Sequence, residues 1–288
     1  MERQITCKEL EKFREYLYEE EKSPATIQKY LRDLGKLMGF SRGCKLDKKK
    51  IIEYKEMLKS CGKYQLTSIN SFLAAANCFF EFMGWHDLKV KTFRIQKKAF
   101  VPESRDLTRQ EYQRLVRTAN AKGKGRLSLI LETICATGIR ISELSEITVS
   151  CVSRGTAVIY SKGKVRQILI PKKLQKKLLY YVKKRNLSQG AVFQTSGGKA
   201  VNRSNIWREM QTLCKEAGVE EGKVFPHNLR HLFAKSFYQI EKDIAKLADI
   251  LGHSNIETTR IYIQASSMEY QKQLESMGLV LGIQQDTT

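Results

Sequence analysis

The stretch that decides the fold covers residues 227–262 and reads HNLRHLFAKSFYQIEKDIAKLADILGHSNIETTRIY. Its apolar residues recur at helical spacing in three short runs, which predicts helices over about 228–240, 243–251 and 255–264. Gly252 stands between the second and third runs, at a position where helices commonly end. This part of the chain is therefore predicted to be helical, with turns of only a few residues between its helices.

The segment before this stretch combines helices with a short hairpin. Two runs of strand character, Ala157–Tyr160 and Val165–Ile170, enclose the four residues Ser161–Lys164, and this pattern favours a hairpin. Further helices are predicted over Leu127–Cys135, from about Ser142, and over about 172–185 and 203–217. We therefore expect residues 106–288 to form one domain of mixed α and β structure with a small sheet.

The first hundred residues show no strand pattern and predict four helices. The helices open near Thr6, Ser23, Asp47 and Thr67, which are residues that cap helix N-termini. Short connections between the helices favour a compact bundle over residues 1–86. Residues 87–105 have weak periodicity and are rich in lysine and arginine, so we expect a basic linker between the two domains.

The chain of 288 residues carries a strong positive charge. Lysine and arginine number 51 and aspartate and glutamate 30, which gives a formal net charge of +21. Such an excess favours binding to a polyanion, most commonly nucleic acid, although solvated basic helix faces would also produce it. The sequence has no apolar run of membrane-spanning length and no secretory signal at its N-terminus. A cytoplasmic location and no membrane partner are expected.

The seven cysteines are spread widely along the chain. Their odd number and wide spacing indicate neither a disulfide framework nor a zinc site. We expect reduced, mostly buried thiols.

Histidine is scarce in the chain and clusters in the stretch 227–262. Three of its four histidines lie there, namely His227, His231 and His253. Arg230 follows His227 by one helical turn, so the two side chains share a face. Cleavage of a phosphodiester needs donors around the non-bridging oxygens, for which the planar guanidinium is well suited. It also needs a nucleophile and a proton donor.

Arg140 and Tyr262 extend this set. Arg140 follows a predicted turn between two helices, where a side chain and backbone N–H groups can point at an anion. Tyr262 lies two turns into the last predicted helix. Taken alone, Arg140 is more commonly a salt-bridge arginine, with Glu143 as its candidate partner, and Tyr262 a core residue. Only the combination of these residues points to an anion-binding catalytic site.

Five motifs carry a resemblance to a known family. In chain order they are Ala136–Leu144 (ATGIRISEL), Ser161–Gly163 (SKG), His227–His231 (HNLRH), Leu251–His253 (LGH) and Thr258–Tyr262 (TTRIY). The order and separation of these motifs resemble those of the tyrosine recombinases of the phage-integrase family, particularly the two-domain Xer-like members. The resemblance implies a mostly α fold. An N-terminal four-helix core-binding domain of the SAM-like type would precede a C-terminal mixed α+β catalytic domain with a small antiparallel sheet.

The resemblance also implies roles for six residues, namely Arg140, Lys162, His227, Arg230, His253 and Tyr262. The two arginines and two histidines would surround the scissile phosphate, and Tyr262 would attack phosphorus to form a 3′-phosphotyrosyl link. Lys162 would protonate the leaving 5′ oxygen, with Lys164 as the alternative. His231 would be structural. No metal, cofactor or ATP is implied, because the arginines would supply the positive charge and the covalent link would conserve the bond energy.

The implied partners follow from the same family. They are double-stranded DNA with a specific recombination site and three further copies of the chain, in a homotetramer that forms a Holliday junction. The resemblance also implies accessory DNA-bending proteins as further partners and a mobile element as the genetic context. The apolar tail is expected to dock on a neighbouring protomer, with packing within its own chain as the alternative. Its residues are Met277, Leu279, Val280, Leu281 and Ile283.

Two other functions fit much of the same pattern. A type IB topoisomerase shares the chemistry but relaxes supercoils as a monomer, and the apolar tail and the Xer-like size argue against it. A non-catalytic DNA-binding regulator would have no need of all six residues. Formation of a covalent adduct with DNA would distinguish an enzyme from the non-catalytic regulator. Recombination between two sites would distinguish a recombinase from a type IB topoisomerase.

Overall fold

The structure is a computed structural model that describes residues 3–95, 106–161, 164–195, 197–263 and 267–279. The chain divides into two units, Met1–Lys97 and Lys98–Thr288. Each unit has a buried apolar core of its own. None of the helices in the described ranges combines the length and the apolar character that crossing a membrane requires.

The first unit contains four α-helices within its described residues, 3–95. They are α1 (Cys7–Glu19), α2 (Pro24–Ser41), α3 (Lys48–Ser60) and α4 (Leu66–Phe82), and a short 3-10 helix, His86–Leu88, follows them. The Asp47 side chain accepts a hydrogen bond from the backbone N–H of Lys50 at 2.7 Å, and Ser23 caps α2 in the same way. The four helices predicted from the sequence are confirmed, but α4 begins at Leu66, with Gln65 rather than Thr67 at its N-cap position.

The backbone after α4 is held by two asparagines of that helix. Asn77 donates to the carbonyl of Val90 at 2.8 Å and accepts from its N–H at 2.9 Å. Asn70 makes the same pair of bonds with Phe93. The first part of the predicted linker over 87–105 therefore packs on the bundle. The part from residue 96 onward lies outside the described residues.

The second unit contains helices and a single hairpin in its described part. In chain order these are α5 (Arg109–Ala121), α6 (Gly125–Thr137), α7 (Val149–Arg154), β1 (Thr156–Ser161), β2 (Lys164–Leu169), α8 (Lys172–Lys184), α9 (Arg203–Ala217), α10 (Pro226–Glu241), α11 (Ile244–Leu251), α12 (Ile256–Ile263) and α13 (Ser267–Ser276). A complete capping box stands at the N-terminus of α5. Glu111 donates its backbone N–H to Thr108 Oγ1 at 3.2 Å and accepts from the backbone N–H of Thr108 at 2.8 Å.

The two strands pair antiparallel, as predicted. Thr156 lies opposite Leu169 and Ser161 opposite Lys164. The inner face of the hairpin joins the core of the unit, because Ile159 and other alternate residues on that face are buried. A mostly α fold with a small antiparallel sheet is confirmed.

The segment after α6 differs from the prediction. The helix expected from about Ser142 is a 3-10 helix, Ile141–Glu146, and α7 follows it. Glu143 turns its carboxylate back onto the backbone N–H of Arg140, at 3.0 Å. Apolar spacing does not separate the two helix types over so short a segment, because both bury residues three positions apart.

The cysteines also differ from the prediction. Only Cys151 and Cys214 are buried, whereas Cys7, Cys44 and Cys61 are exposed and Cys78 and Cys135 half-buried. The expectation of mostly buried thiols is therefore wrong. The three exposed cysteines lie at or just beyond helix ends of the first unit, where the side chains face solvent.

Candidate active site

Tyr262 lies in α12 and is almost fully buried, with 5% of its surface exposed. Three imidazole rings surround it. The centroid of the Tyr262 ring lies 5.2 Å from that of His227, 5.2 Å from that of His231 and 5.5 Å from that of His253. The His253 ring is stacked on it at an interplanar angle of 22°. The structure thus brings the candidate nucleophile into contact with all three histidines of the decisive stretch.

Arg230 lies near the start of α10 and is 1% exposed. Its guanidinium donates to the carbonyl oxygens of Gly138 and Leu251, the latter at 2.7 Å, and to Nε2 of His253 at 3.0 Å. Its Nε has no hydrogen-bond partner among the described residues. Burial, reinforced by repulsion from Arg140, lowers the pKa of Arg230 to about 10. The group remains a cation at neutral pH, and its Nε–H is unpaired within the described part of the chain.

His253 is fixed in one tautomer by its neighbours. Arginine can only donate, so Nε2 of His253 accepts and its proton resides on Nδ1. That Nδ1 donates to Oγ1 of Thr259 at 2.8 Å. Burial, followed by the positive charges of Arg230 and Arg140, lowers the pKa of His253 to about 4. Burial likewise lowers the pKa of His227. An anion bound between these groups would oppose both shifts.

Arg140 stands where α6 ends. Gly138 has φ +64° and ends that helix. A side chain on Gly138 would lie 2.5 Å from a ring carbon of Phe233 in α10, so only glycine allows α6 and α10 to approach so closely. Arg140 Nη1 donates to Glu143 Oε1 at 2.9 Å. With 36% of its side chain exposed, Arg140 can still contact a ligand.

Glu143 and Arg166 also belong to the site. The sequence suggested Glu143 as a salt-bridge partner of Arg140, and the structure shows this ion pair, whereas Arg166 was not among the predicted site residues. Arg166 Nη2 donates to Glu143 Oε2 at 2.5 Å, and its Nη1 donates to the carbonyl of Ile250 at 2.8 Å. Burial would raise the pKa of Glu143, but hydrogen bonds from Arg140 and the charge of Arg166 hold it below its ordinary value. A signal existed in the sequence, because Arg166 alternates with Ile168 on the buried side of a strand.

His231 supports the backbone beside the candidate nucleophile. Its Nε2 lies 3.3 Å from the carbonyl oxygen of Ile261, and its Nδ1 lies 3.3 Å from a carboxylate oxygen of Asp106. Lys235 donates to the other oxygen of Asp106 at 2.5 Å. Burial lowers the pKa of His231, against the pull of Asp106. Asp106 is a second residue that sequence reasoning missed, since it is distant along the chain and lies in no motif.

An open cleft of about 800 Å³ lies beside these groups. Residues that line it include Arg140, Arg166, His253, Ser142, Gln167 and Asn255. Lys162 lies outside the described residues, and of Lys164 the structure shows that it begins β2. The assignment of Lys162 or Lys164 as the proton donor stays a prediction. In the described residues, the structure assembles Arg140, His227, Arg230, His253 and Tyr262 around one location.

Comparison with known families identifies the class of protein. Residues 105–269 match the model of the phage integrase family, and residues 10–86 match the phage integrase N-terminal SAM-like domain. The first match alone spans more than half of the chain, and the chain therefore belongs to the phage integrase family. The second match confirms the SAM-like N-terminal domain.

The most similar relatives include two named tyrosine recombinase XerA. The protein of Pyrococcus furiosus is 27% identical over 286 residues, covering 97% of both chains. The protein of Thermococcus kodakarensis is 29% identical over 280 residues, covering 94% of this chain and 95% of the relative. The family and these names together place the chain in the tyrosine recombinase class of enzymes.

Solved structures agree with this placement. A crystal structure of XerA recombinase is 25% identical, covers 95% of this chain and 99% of its own, and superposes with a TM-score of 0.54. A lambda integrase dimer bound to a COC′ core site is 16% identical, with a TM-score of 0.71 and coverage of 91% and 78%. At that identity the second likeness shows the fold alone.

Proposed function

We propose that the chain is a site-specific DNA recombinase or integrase that exchanges strands through a 3′-phosphotyrosyl intermediate and a Holliday junction. The observation that carries the proposal is the placement of Tyr262 against His227 and His253, with Arg230 bonded to His253 and Arg140 close by. Phosphoryl transfer to a side chain needs a nucleophile and fixed positive charge in one place. This site combines both.

The two arginines would hold the scissile phosphate. Arg230 is fixed by acceptors on three residues and has its Nε free of partners in the described part of the chain. Arg140 is fixed by Glu143 on one side and open to solvent on the other. Donors that are already in position stabilise the charge that develops on the non-bridging oxygens without reorganising. The proposed site therefore needs no metal ion for this part of the chemistry.

The proposed cleavage step is balanced by a proton donor on the hairpin. The phenolic oxygen of Tyr262 attacks phosphorus and gives its proton to the neutral imidazole of His227 beside it, while the bond from phosphorus to the 5′ oxygen breaks. A lysine, Lys162 or Lys164, protonates that oxygen. Attack by a 5′-hydroxyl of another strand reverses the step and rejoins DNA without ATP.

The proposed partners are duplex DNA with a specific site and further copies of the chain. The net charge of +21 favours binding to duplex DNA, which is a polyanion. The exposed apolar side chains of Leu274, Met277 and Leu279 suit docking on a neighbouring protomer in a tetramer. The tail residues Val280, Leu281 and Ile283 lie outside the described residues. Accessory DNA-bending proteins and the cytoplasmic location stay predictions.

A nicked suicide substrate tests the proposal. The purified chain is incubated in EDTA with nicked duplexes tiled across the DNA that flanks its gene, and SDS-resistant adducts are measured. We expect adducts with the wild type and none with Tyr262→Phe, because the phenylalanine lacks the attacking oxygen. Tyr180→Phe is the matched control, since Tyr180 is an exposed tyrosine of the same unit.

The outcomes also separate the alternatives. Tight DNA binding without an adduct from the wild type would support a non-catalytic regulator. An adduct together with relaxation of supercoils, but without recombination between two sites, would support a type IB topoisomerase. Adducts that persist in Tyr262→Phe would show that another residue is the nucleophile.

A further inference from the structure

Arg166 is a half-buried arginine at the wall of the cleft, and the proposed chemistry does not use it. It lies in β2, on the inner side of the hairpin, and 10% of its side chain is exposed. A guanidinium in such a position must find acceptors within the protein, because an unpaired buried charge is strongly unfavourable. Its acceptors lie on two different segments, and each segment carries a residue of the proposed site.

The first segment is the 3-10 helix that begins after Arg140. Arg166 Nη2 donates to Oε2 of Glu143 at 2.5 Å, and the same carboxylate accepts from Arg140 through Oε1 at 2.9 Å. Glu143 is 7% exposed, so solvent does not substitute for either partner. The direction in which Arg140 points therefore depends on a carboxylate that Arg166 holds from the opposite side.

The second segment is the end of α11. Arg166 Nη1 donates to the carbonyl of Ile250 at 2.8 Å, and Gly252 and His253 follow directly. A Cβ on Gly252 would lie 2.4 Å from Cδ of Arg166. The turn that carries His253 is thus folded tightly around the Arg166 side chain.

We propose that Arg166 is a positioning residue for strand cleavage: one guanidinium holds Arg140 and the His253 turn in a fixed relation to each other and to the hairpin. This inference rests on the proposed function. The guanidinium suits the role because it is a rigid fork that reaches two acceptors in different directions, whereas a lysine is a point charge on a flexible stem. Arg166 acts through its neighbours and needs no contact with the reacting phosphate.

The test compares three single variants of the full-length chain. Arg166→Met removes both bonds, and Arg166→Lys retains the charge. Arg114→Met is the matched control, because Arg114 also donates to backbone carbonyls at a helix end of the same unit, those of Ala217 and Gly218. Cleavage of the suicide substrate is measured in single turnover at saturating DNA, and DNA affinity is measured separately.

We expect a loss of cleavage rate without a loss of binding. Arg166→Met should cleave on the order of 100-fold more slowly, since misplacing a catalytic group by about 1 Å has that effect. Arg166→Lys should lose about 10-fold, because it reaches only one of the two acceptors. The Kd for DNA and the rate of Arg114→Met should both stay within about threefold of wild type.

A double-mutant cycle separates positioning from a general structural effect. If Arg166 acts through Arg140, adding Arg166→Met to Arg140→Lys should cost much less than it does alone, whereas adding Arg114→Met should have the same effect in both backgrounds. Fully multiplicative losses would overturn the proposal, as would a wild-type rate in Arg166→Met. If Arg166→Met does not fold, a wild-type rate in Arg166→Lys overturns it instead. Absence of any adduct from the wild type overturns the proposed function and this inference together, whereas undiminished adducts in the variants overturn only this inference.

Discussion

Gly252→Ala should destabilise the second unit, and the structure gives the size of the effect. Gly252 ends α11 with φ +65°. An alanine in this left-handed conformation is less stable than glycine by about 1 kcal/mol. Its Cβ would also lie 2.4 Å from Cδ and 3.1 Å from Nε of Arg166, far inside the normal contact distance.

Arg166 cannot move aside freely to relieve this clash. Its guanidinium is bonded to Glu143 and to the carbonyl of Ile250, so a shift either breaks these bonds or displaces the end of α11. Overpacking of this kind lowers the free energy of unfolding by about 1–3 kcal/mol. Together with the backbone effect, the expected loss for Gly252→Ala is about 2–4 kcal/mol.

Calorimetry of two full-length variants measures the effect. Gly218→Ala is the matched control, because Gly218 ends α9 with φ +60° and has no atom within contact distance of an added Cβ. At about 2–4 °C per kcal/mol for a unit of this size, Gly252→Ala should lower the Tm by about 4–16 °C and Gly218→Ala by about 2–4 °C. Equal shifts in the two variants would refute the reasoning, because they would show that Arg166 yields without cost.

Three further predictions concern other contacts. Glu143→Gln removes the charge that orients Arg140 and should slow single-turnover cleavage by about 10-fold or more without weakening DNA binding; an unchanged rate would contradict this. The pKa of His253 is about 4 in the folded chain against an ordinary 6.5, so protonation favours the unfolded state. The stabilisation is complete above about pH 6.5 and is lost as the pH falls toward 4. The Tm should therefore fall less steeply in His253→Gln than in wild type over that range, and parallel curves would count against it. Asn77→Ala leaves the backbone groups of Val90 unpaired and should lower the free energy of urea unfolding by about 1–3 kcal/mol; an unchanged midpoint would show that water replaces the asparagine.

The elements of the fold were largely predictable, because their signals are local. Ser23 and Asp47 cap the helices that they were expected to cap, and the hairpin forms between the two strand-like runs. The predicted helix type is wrong for the segment after Arg140, because the Glu143 carboxylate folds back onto the chain and sets a 3-10 geometry there. That preference does not appear in an apolar pattern.

The candidate site was predictable only in part. The motifs placed Arg230, His253 and Tyr262 in order along the chain, and helical spacing put His227 and Arg230 on one face. Nothing local indicated that Arg166 would bind both the Arg140 segment and the end of α11, because these contacts join residues far apart in sequence. The one available signal was a charged residue on the apolar side of a strand, which typically means a buried ion pair.

The acceptors of Arg230 have a consequence for the charge of the site. The two carbonyls that it binds, of Gly138 and Leu251, lie at the C-terminal ends of α6 and α11. Each helix end supplies only a partial negative charge, which steadies a buried guanidinium but does not neutralise it as a carboxylate would. Within the described ranges no carboxylate pairs with Arg230, which therefore keeps its positive charge in the site. The unneutralised charge of Arg230 therefore strengthens the binding of an anion at this site.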